Sequence, residues 1–571
     1  MKWKTLEHNG VLFPPEYKYQ KISVKIREKK IELNKKQEEM AWAWTKKKDT
    51  PYVQDKIFIK NFTNDFLKQF KNEYKKLSIE EFDFSEMIKI QEKEKEHNSK
   101  PEIKKKLTAE RKEKREMQKE KYGYAIIDGT KTEVGNYMVE PASIFMGRGE
   151  HPFRGKWKKM AEPEDIVLNL GKKSTIPVCP IKNRTWGKII HDKESTWLAK
   201  WHDKLTNKDK YVWLSDTATI RQKQDKAKYE KAIDLSKSIL KIRKHIQKNL
   251  SSTDKKTQKV ATVTYLIDNL ALRVGDEKDE DEADTVGATT LRVEHIDING
   301  DTIEFDFLGK DSVRWKKTLE VKGDKQFIKN IEKFIEGKKA NDPIFDKISS
   351  TDVNRFLAGS KKGITAKVFR TYHATNHVND YLKKCALEST DEDYMKVYHA
   401  KMANLGAAIQ CNHKKTPTKN WENSMEKKEN KIKNINQELK KIERSIKNSE
   451  YECVICNTKL VIDDKLVRCK NEKVHKNEVK LMKKLERQKV RIVKENERIN
   501  KKHDRIEERL SKMKVKVEVD KKTREYNLNT SLRNYIDPRI YKNWSEKVEL
   551  DWNKLYPKTL QRKFQWVEQT E

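Results

Sequence analysis

Several things are missing from this sequence, and each absence narrows what it can do. There is no Gly-x-x-x-x-Gly-Lys-Ser/Thr loop, so a mechanism driven by ATP has no visible support. No acidic cluster has an evident two-metal spacing. No apolar run approaches the roughly 20 residues of a spanning helix, and no signal peptide opens the chain, which argues against a membrane. Cysteine is scarce: six in 571 residues, of which Cys179, Cys385 and Cys411 are scattered and read as reduced intracellular thiols. Hydrophobic residues reach only 35% against 38% charged, so part of the chain must be solvated or extended rather than packed.

What is present is positive charge. Lys and Arg number 127 against 90 Asp and Glu, giving a formal net charge of +37. A surplus of that size favours a polyanionic partner, nucleic acid first. Thirteen Trp and seventeen Phe argue for real cores beside the solvated parts. The length exceeds what one core supports, so several domains are expected.

Residues 1–215 mix tryptophans, prolines and basic runs. "FPPEY" and "EPASIF" read as loops, and residues 101–123 read as a solvated, strongly basic helix. "FMGRGEHPFRGKWKK" combines Gly147 and Gly149 with Arg148, Arg154 and Lys156. That suits close approach to a phosphate, with a plain basic turn as the equal alternative. In residues 216–424, "VATVTYLIDNLALRVG" spaces its apolar residues as a buried helix would. "VEHIDINGDTIEFDFLGKDSVRWKKTLEV" alternates around an Asn-Gly-Asp turn, with a second turn at "GKDS".

Residues 425–515 carry two heptad seams. Met425, Ile432, Ile435, Leu439, Ile442 and Ile446 form the first; Leu485, Ile492, Ile499, Ile506 and Met513 form the second. Two basic arms with a break between them read as an antiparallel coiled-coil hairpin, each arm about 40 Å long. The break, 450–476, holds Cys453-x-x-Cys456, then Cys469 and His475 around a hairpin turned at Asp463-Asp464. That ligand set suits a structural tetrahedral zinc, with three free thiols and an incidental histidine as the alternative. Residues 516–571 form a short terminal domain with Tyr535 and three tryptophans.

Reversible cleavage of a phosphodiester without metal needs a nucleophile, cations on the non-bridging oxygens and an acid for the leaving hydroxyl. Arg273 in "LALRVG" and Arg370 in "KVFRTY" are arginines in apolar settings. His413 ends an apolar segment, and Lys310 sits in a glycine turn. Each also fits a purely structural role, and composition alone does not group them with Tyr535.

At these residues the chain resembles the eukaryotic nuclear type IB DNA topoisomerases. The resemblance runs nearly end to end through "LALRVGDEKDEDEADTVG", "EFDFLGKDS", "AKVFRTYHAT", "AIQCNHKKTP" and "NYIDPRI". It implies an enzyme that relaxes supercoiled duplex DNA, with no cofactor required. Tyr535 would be the nucleophile joined to the 3′ end. Arg273, Arg370 and His413 would bind the non-bridging oxygens, and Lys310 would be the general acid. Arg148, Lys210, Tyr211, Trp213, Asp311 and Asn534 match DNA-proximal positions.

The implied fold is α+β and multidomain. A mixed N-terminal cap (1–215) and a mainly helical catalytic lobe (216–424) clamp the duplex. A coiled-coil linker (425–515) and a small helical C-terminal domain (516–571) complete it. A monomer acting in the nucleus is implied, with a viral or cytoplasmic-factory setting as the alternative, because the family's charged amino-terminal tail is not in this sequence. Met146 stands where the family commonly has arginine, and the Cys/His cluster is an addition to the family pattern. A tyrosine recombinase-like strand transferase and a non-catalytic basic coiled-coil scaffold are the rival readings.

Overall fold

The computed structural model describes residues 1–27, 29–276, 285–321, 323–447, 451–463, 466–471 and 479–568. Helices and small sheets are mixed along the chain. The chain divides into two compact units, Met1–Tyr372 with Lys558–Glu571, and His373–Pro557, and the division falls inside the helix Ala366–Lys384.

In the first unit, an aromatic core orders the start of the chain. Asp55 caps the helix Lys56–Leu67 by accepting from the amides of Ile57 and Phe58, both at 2.9 Å. Phe58, Phe62 and Phe66 follow at helical spacing on one face and are fully buried. Trp44 from the neighbouring helix Lys35–Thr45 stacks on Phe62 with ring centroids 4.5 Å apart. Burying each of these rings contributes about 1.5–3 kcal/mol. Ser143–Ile144, inside the segment expected to be a loop, instead pairs with Trp157–Lys158. The helix Pro101–Tyr122 buries only Tyr122, as its polar composition requires.

A second core in this unit joins the helices Thr219–Leu250 and Lys255–Leu270 to an antiparallel sheet, Ile296–Asn299, Thr302–Gly309 and Val313–Glu320. Both expected turns are there. Gly300, at φ 60°, helps turn the first hairpin, and Lys310–Ser312 turns the second, with Ser312 at φ 56°. The helix expected over 260–275 stops at Leu270. Ala271 takes the left-handed conformation (φ 50°), so Arg273 follows the helix rather than lying in it.

The last residues of the chain return to this unit. Arg562 pairs with Glu133 at 2.5 Å, Lys563 lies 3.6 Å from Asp216 and 3.5 Å from Asp225, and Trp566 stacks on Tyr229. Glu133 also accepts from Lys119 and Thr217, so one carboxylate links a strand, a basic helix, the 215–219 connection and the C-terminal segment.

In the second unit, Trp421–Lys447 and Val479–Lys522 pack as an antiparallel pair around Ile435, Ile442, Ile506 and Leu510. Direction follows from the ion pairs: Lys428 meets Asp520 at 2.7 Å while Glu438, further along, meets Arg509, further back. The side chain of Ile446 lies outside the described residues. The arms are unequal. The 27-residue first arm spans about 40 Å as expected, whereas the 44-residue second arm spans about 66 Å. The second arm is longer because Leu485 and Ile492 pack on the Cys cluster at one end, while Val519 packs on Met402 and Leu405 at the other. It runs through 515–516 without interruption.

Burial pushes the Glu133 carboxyl up, but hydrogen bonds from Arg562, Lys119 and Thr217 outweigh it and bring it from 4.5 down to about 2. A depressed carboxylate stabilises fully above its unfolded value and loses that contribution as pH falls through the folded one. Glu133→Gln is therefore expected to lower stability by about 1 kcal/mol at neutral pH, given partial solvent screening. The difference in unfolding midpoint from wild type should shrink between pH 4.5 and about 2. A difference independent of pH would show that the charge is not what stabilises.

Candidate functional site

Arg370 lies on the helix Ala366–Lys384 and is 4% exposed. A buried guanidinium requires acceptors, and its Nη1 donates to the carbonyl of Ala271 at 2.5 Å. That carbonyl sits two residues before Arg273, so one arginine braces the backbone that presents the other. Beyond Arg273 the backbone is pinned again. Ala288 N donates to Arg273 O and Thr289 N to Val274 O, both at 2.8 Å. Gly275 and Gly287 approach backbone to backbone: a Cβ on Gly287 would lie 2.5 Å from Gly275 Cα. Val286 N then donates to Leu308 O at 2.8 Å, tying this segment to the hairpin that carries Lys310.

Lys310 is exposed at the hairpin tip. The side chain of Asp311, beside it, lies outside the described residues. The glycine turn of Arg148 abuts this tip, since a Cβ on Gly149 would lie 2.1 Å from Ser312 Oγ. Gly147 and Gly149 hold φ 58° and 59°, and Arg148 is exposed between them. The turn is held from behind by Arg154, which donates to Gly149 O at 2.8 Å and pairs with Asp55 at 2.9 Å. Met146 packs against the aromatic core. From sequence Arg154 reads, like Arg148, as an arginine able to ligate a phosphate; here it braces the turn instead, which nothing local in the sequence marks.

The strand Lys208–Trp213 divides the residues expected on it. Tyr211 and Trp213 are exposed on one face, ring centroids 5.2 Å apart, with Lys200 and Arg221 lying over their rings. Lys210 alternates to the other face, half-buried, 3.9 Å from both Glu140 and Asp203. The alternation of a strand makes that separation unavoidable.

In the second unit, His413 and Tyr535 are together. His413 follows the helix Asp393–Gln410, past Asn412 at φ 53°. Asn527 N donates to His413 O at 2.7 Å, Lys415 N donates to Glu525 O at 2.8 Å, and Lys414 bridges Tyr526. This short ladder sets the two rings against each other, centroids 5.0 Å apart and planes inclined by 27°. Both residues are buried, His413 at 6% exposure and Tyr535 at 7%. Asn534 is exposed at the end of the helix Leu528–Asn534. Thr375, not singled out from sequence, donates to Tyr535 O at 3.1 Å.

At the coiled-coil tip, the thiols of Cys453, Cys456 and Cys469 lie within 4.8 Å of one another. Cys456 and Cys469 sulfurs are 3.6 Å apart, close to the edge of a tetrahedron with metal–sulfur bonds of about 2.3 Å. Burial pushes the Cys453 thiol up from its ordinary value. His475 lies outside the described residues.

Residues 1–214 match the model of the eukaryotic DNA topoisomerase I DNA-binding fragment, 217–446 that of its catalytic core, and 507–571 that of a C-terminal topoisomerase domain. The chain is 36% identical over 573 residues to DNA topoisomerase 1 beta of Arabidopsis thaliana, covering 99% of this chain and 58% of that protein. It is 34% identical over 583 residues to human DNA topoisomerase 1, covering 99% and 71%. It is 35% identical over 620 residues to DNA topoisomerase 1 of Candidozyma auris, covering 99% and 82%. The chain thus spans less than two thirds of the length of the plant relatives.

The contact between the Arg148 turn and the Lys310 turn is testable by a double-mutant cycle. Gly149→Ala should cost about 1–2 kcal/mol from its left-handed backbone alone, plus the clash with Ser312. Ser312→Gly should recover part of that loss, a coupling of about 0.5–3 kcal/mol read from unfolding midpoints. Equal costs in both backgrounds would mean that the two turns do not touch.

Proposed function

The chain belongs to the eukaryotic DNA topoisomerase I family, and from that premise we propose that it relaxes supercoiled duplex DNA by transient cleavage of one strand. The Tyr535 phenolate oxygen attacks the scissile phosphorus, and the bond to the 5′ oxygen breaks. The 3′ end is left joined to Tyr535, and the 5′ oxygen leaves with a proton from Lys310. Arg273, Arg370 and His413 donate to the non-bridging oxygens as their charge grows. Arginine suits this task because it stays charged and grips phosphate with two parallel hydrogen bonds. The nicked strand turns about the intact one, and the 5′-hydroxyl then attacks the phosphotyrosine in reverse. The bond energy is kept throughout, so neither ATP nor a metal is consumed.

The observation that carries this reading is the ring pair of His413 and Tyr535, held by the ladder between 413–415 and 525–527. A phenol held against a histidine on a rigid backbone is prepared for attack in a way that a solvent-facing tyrosine is not. Residues 1–215 act as cap, 216–424 as catalytic lobe, 425–515 as linker and 516–571 as carrier of the nucleophile. Arg148, Tyr211, Trp213 and Asn534 reach the DNA backbone or its grooves. Asp311 acts beside Lys310, while Lys210, on the other face of its strand from Tyr211 and Trp213, contributes through its acid partners Glu140 and Asp203. The partner is double-stranded DNA, bound by a monomer, in the nucleus.

Cys453, Cys456 and Cys469 would hold a structural zinc, with His475 as the fourth ligand. It would fix a tip whose apolar core is built from Leu460, Val467, Leu485 and Ile492 beside the cysteines. With four protein ligands it has no open position for chemistry.

Wild type should relax a negatively supercoiled plasmid in EDTA without ATP, while Tyr535→Phe should bind the plasmid and leave it supercoiled. Relaxation by Tyr535→Phe at the wild-type rate would remove the mechanism. A basic scaffold would bind without relaxing in either form. The purified, reduced chain should carry one zinc, lost in Cys456→Ser with relaxation retained. A metal-free wild type at neutral pH would refute the zinc assignment.

A further inference from the structure

Tyr535 occupies an awkward point of the backbone. It ends the helix Leu528–Asn534 at φ −128°, ψ −25°, and Pro538 opens the next helix three residues later. Its own amide and that of Ile536 return locally to Ser531 O, at 2.9 and 3.1 Å. Its carbonyl accepts from a distant part of the chain. Pro538 has no N–H to offer, and the Arg539 amide is taken by the Asp537 carboxylate at 3.0 Å. Asp537 is 4% exposed, so its N–H needs a partner as well.

One hydroxyl answers both needs. Thr375 Oγ1 donates to Tyr535 O at 3.1 Å and accepts from Asp537 N at 3.1 Å. A hydroxyl can do both at once. This is a tie from another part of the chain, 160 residues away, on the two peptides that follow the tyrosine. Removing it would take a hydrogen bond from each of two largely buried polar groups and loosen the peptide plane on which the aim of the phenol depends.

We propose that Thr375 is a positioning residue for the nucleophile: its hydroxyl fixes the turn Tyr535–Asp537 and so directs the Tyr535 phenol. This rests on the reading of Tyr535 as nucleophile. It adds that the reaction rate depends on a group that touches neither phosphate nor ring. Because small misplacement of a nucleophile is costly, the loss should fall on the cleavage step rather than on DNA affinity. Serine can make both hydrogen bonds. Valine keeps the volume and makes neither.

The test uses the full chain and a nicked duplex whose cleavage releases a short strand, so that religation is blocked and the covalent adduct accumulates. At saturating DNA, Thr375→Val should form adduct about 10- to 100-fold more slowly than wild type. Its dissociation constant for uncleaved duplex should stay within about twofold, and Thr375→Ser should remain within about threefold of the wild-type rate. Thr375→Ala serves the same purpose if the valine variant does not fold. Cleavage at the wild-type rate without the hydroxyl would overturn the inference. So would a serine variant as slow as valine, or a loss confined to DNA affinity. If wild type itself forms no adduct, the proposed function fails instead, and the two failures are distinguishable.

Discussion

The hydrogen bond from Asn527 N to His413 O, with its neighbours at Lys414, Lys415, Glu525 and Tyr526, closes a long excursion of the chain. The backbone leaves after His413, runs out along one arm of the coiled coil, returns along the other, and rejoins the residues it left. Closing a loop that long costs conformational entropy, though the cost grows only slowly with length. It is offset by the apolar seam of Ile435, Ile442, Ile506 and Leu510. The ion pairs along the arms add little each, being exposed, and serve mainly to fix direction and register. Tyr535 stands against His413 because this closure holds.

The positive charge does two separable things. Part of it, on the helix Pro101–Tyr122 and the coiled-coil arms, is solvated and suits a field that attracts a polyanion regardless of sequence. A few cations are positioned instead. Arg370 is buried and bonded to the backbone before Arg273, Arg154 braces the turn of Arg148, and Lys310 rides a hairpin tip that the same turn touches. Glu133 shows the same division among acids. It is one carboxylate whose three partners come from three parts of the chain, held far below its ordinary titration range.

What the sequence made legible was local and periodic. The heptad seams appear as the packed arms, the Asn-Gly-Asp and Gly-Lys-Asp-Ser turns as hairpins, and the Cys-x-x-Cys knuckle and its distant cysteine as a cluster. What it hid was set by tertiary contacts. The helix before Arg273 ends early because Ala271 turns left-handed and its carbonyl goes to an arginine 99 residues on. The second arm outruns its heptads because both of its ends pack on other elements. Lys210 shares a motif with Tyr211 and Trp213 but not a face. Thr375 carries no local mark at all. Its partners lie 160 and 162 residues away, and a hydroxyl on a helix looks the same whether or not it bridges a turn.

The central claim is that Tyr535 forms the covalent link to DNA. The direct measurement is to trap the adduct on duplex DNA with denaturant, digest the protein and the DNA, and sequence the nucleotide-bearing peptide by tandem mass spectrometry. The account predicts a peptide containing Tyr535, modified on the phenol through the 3′-phosphate of the cleaved strand. Attachment to any other residue, or to a 5′ end, would contradict it.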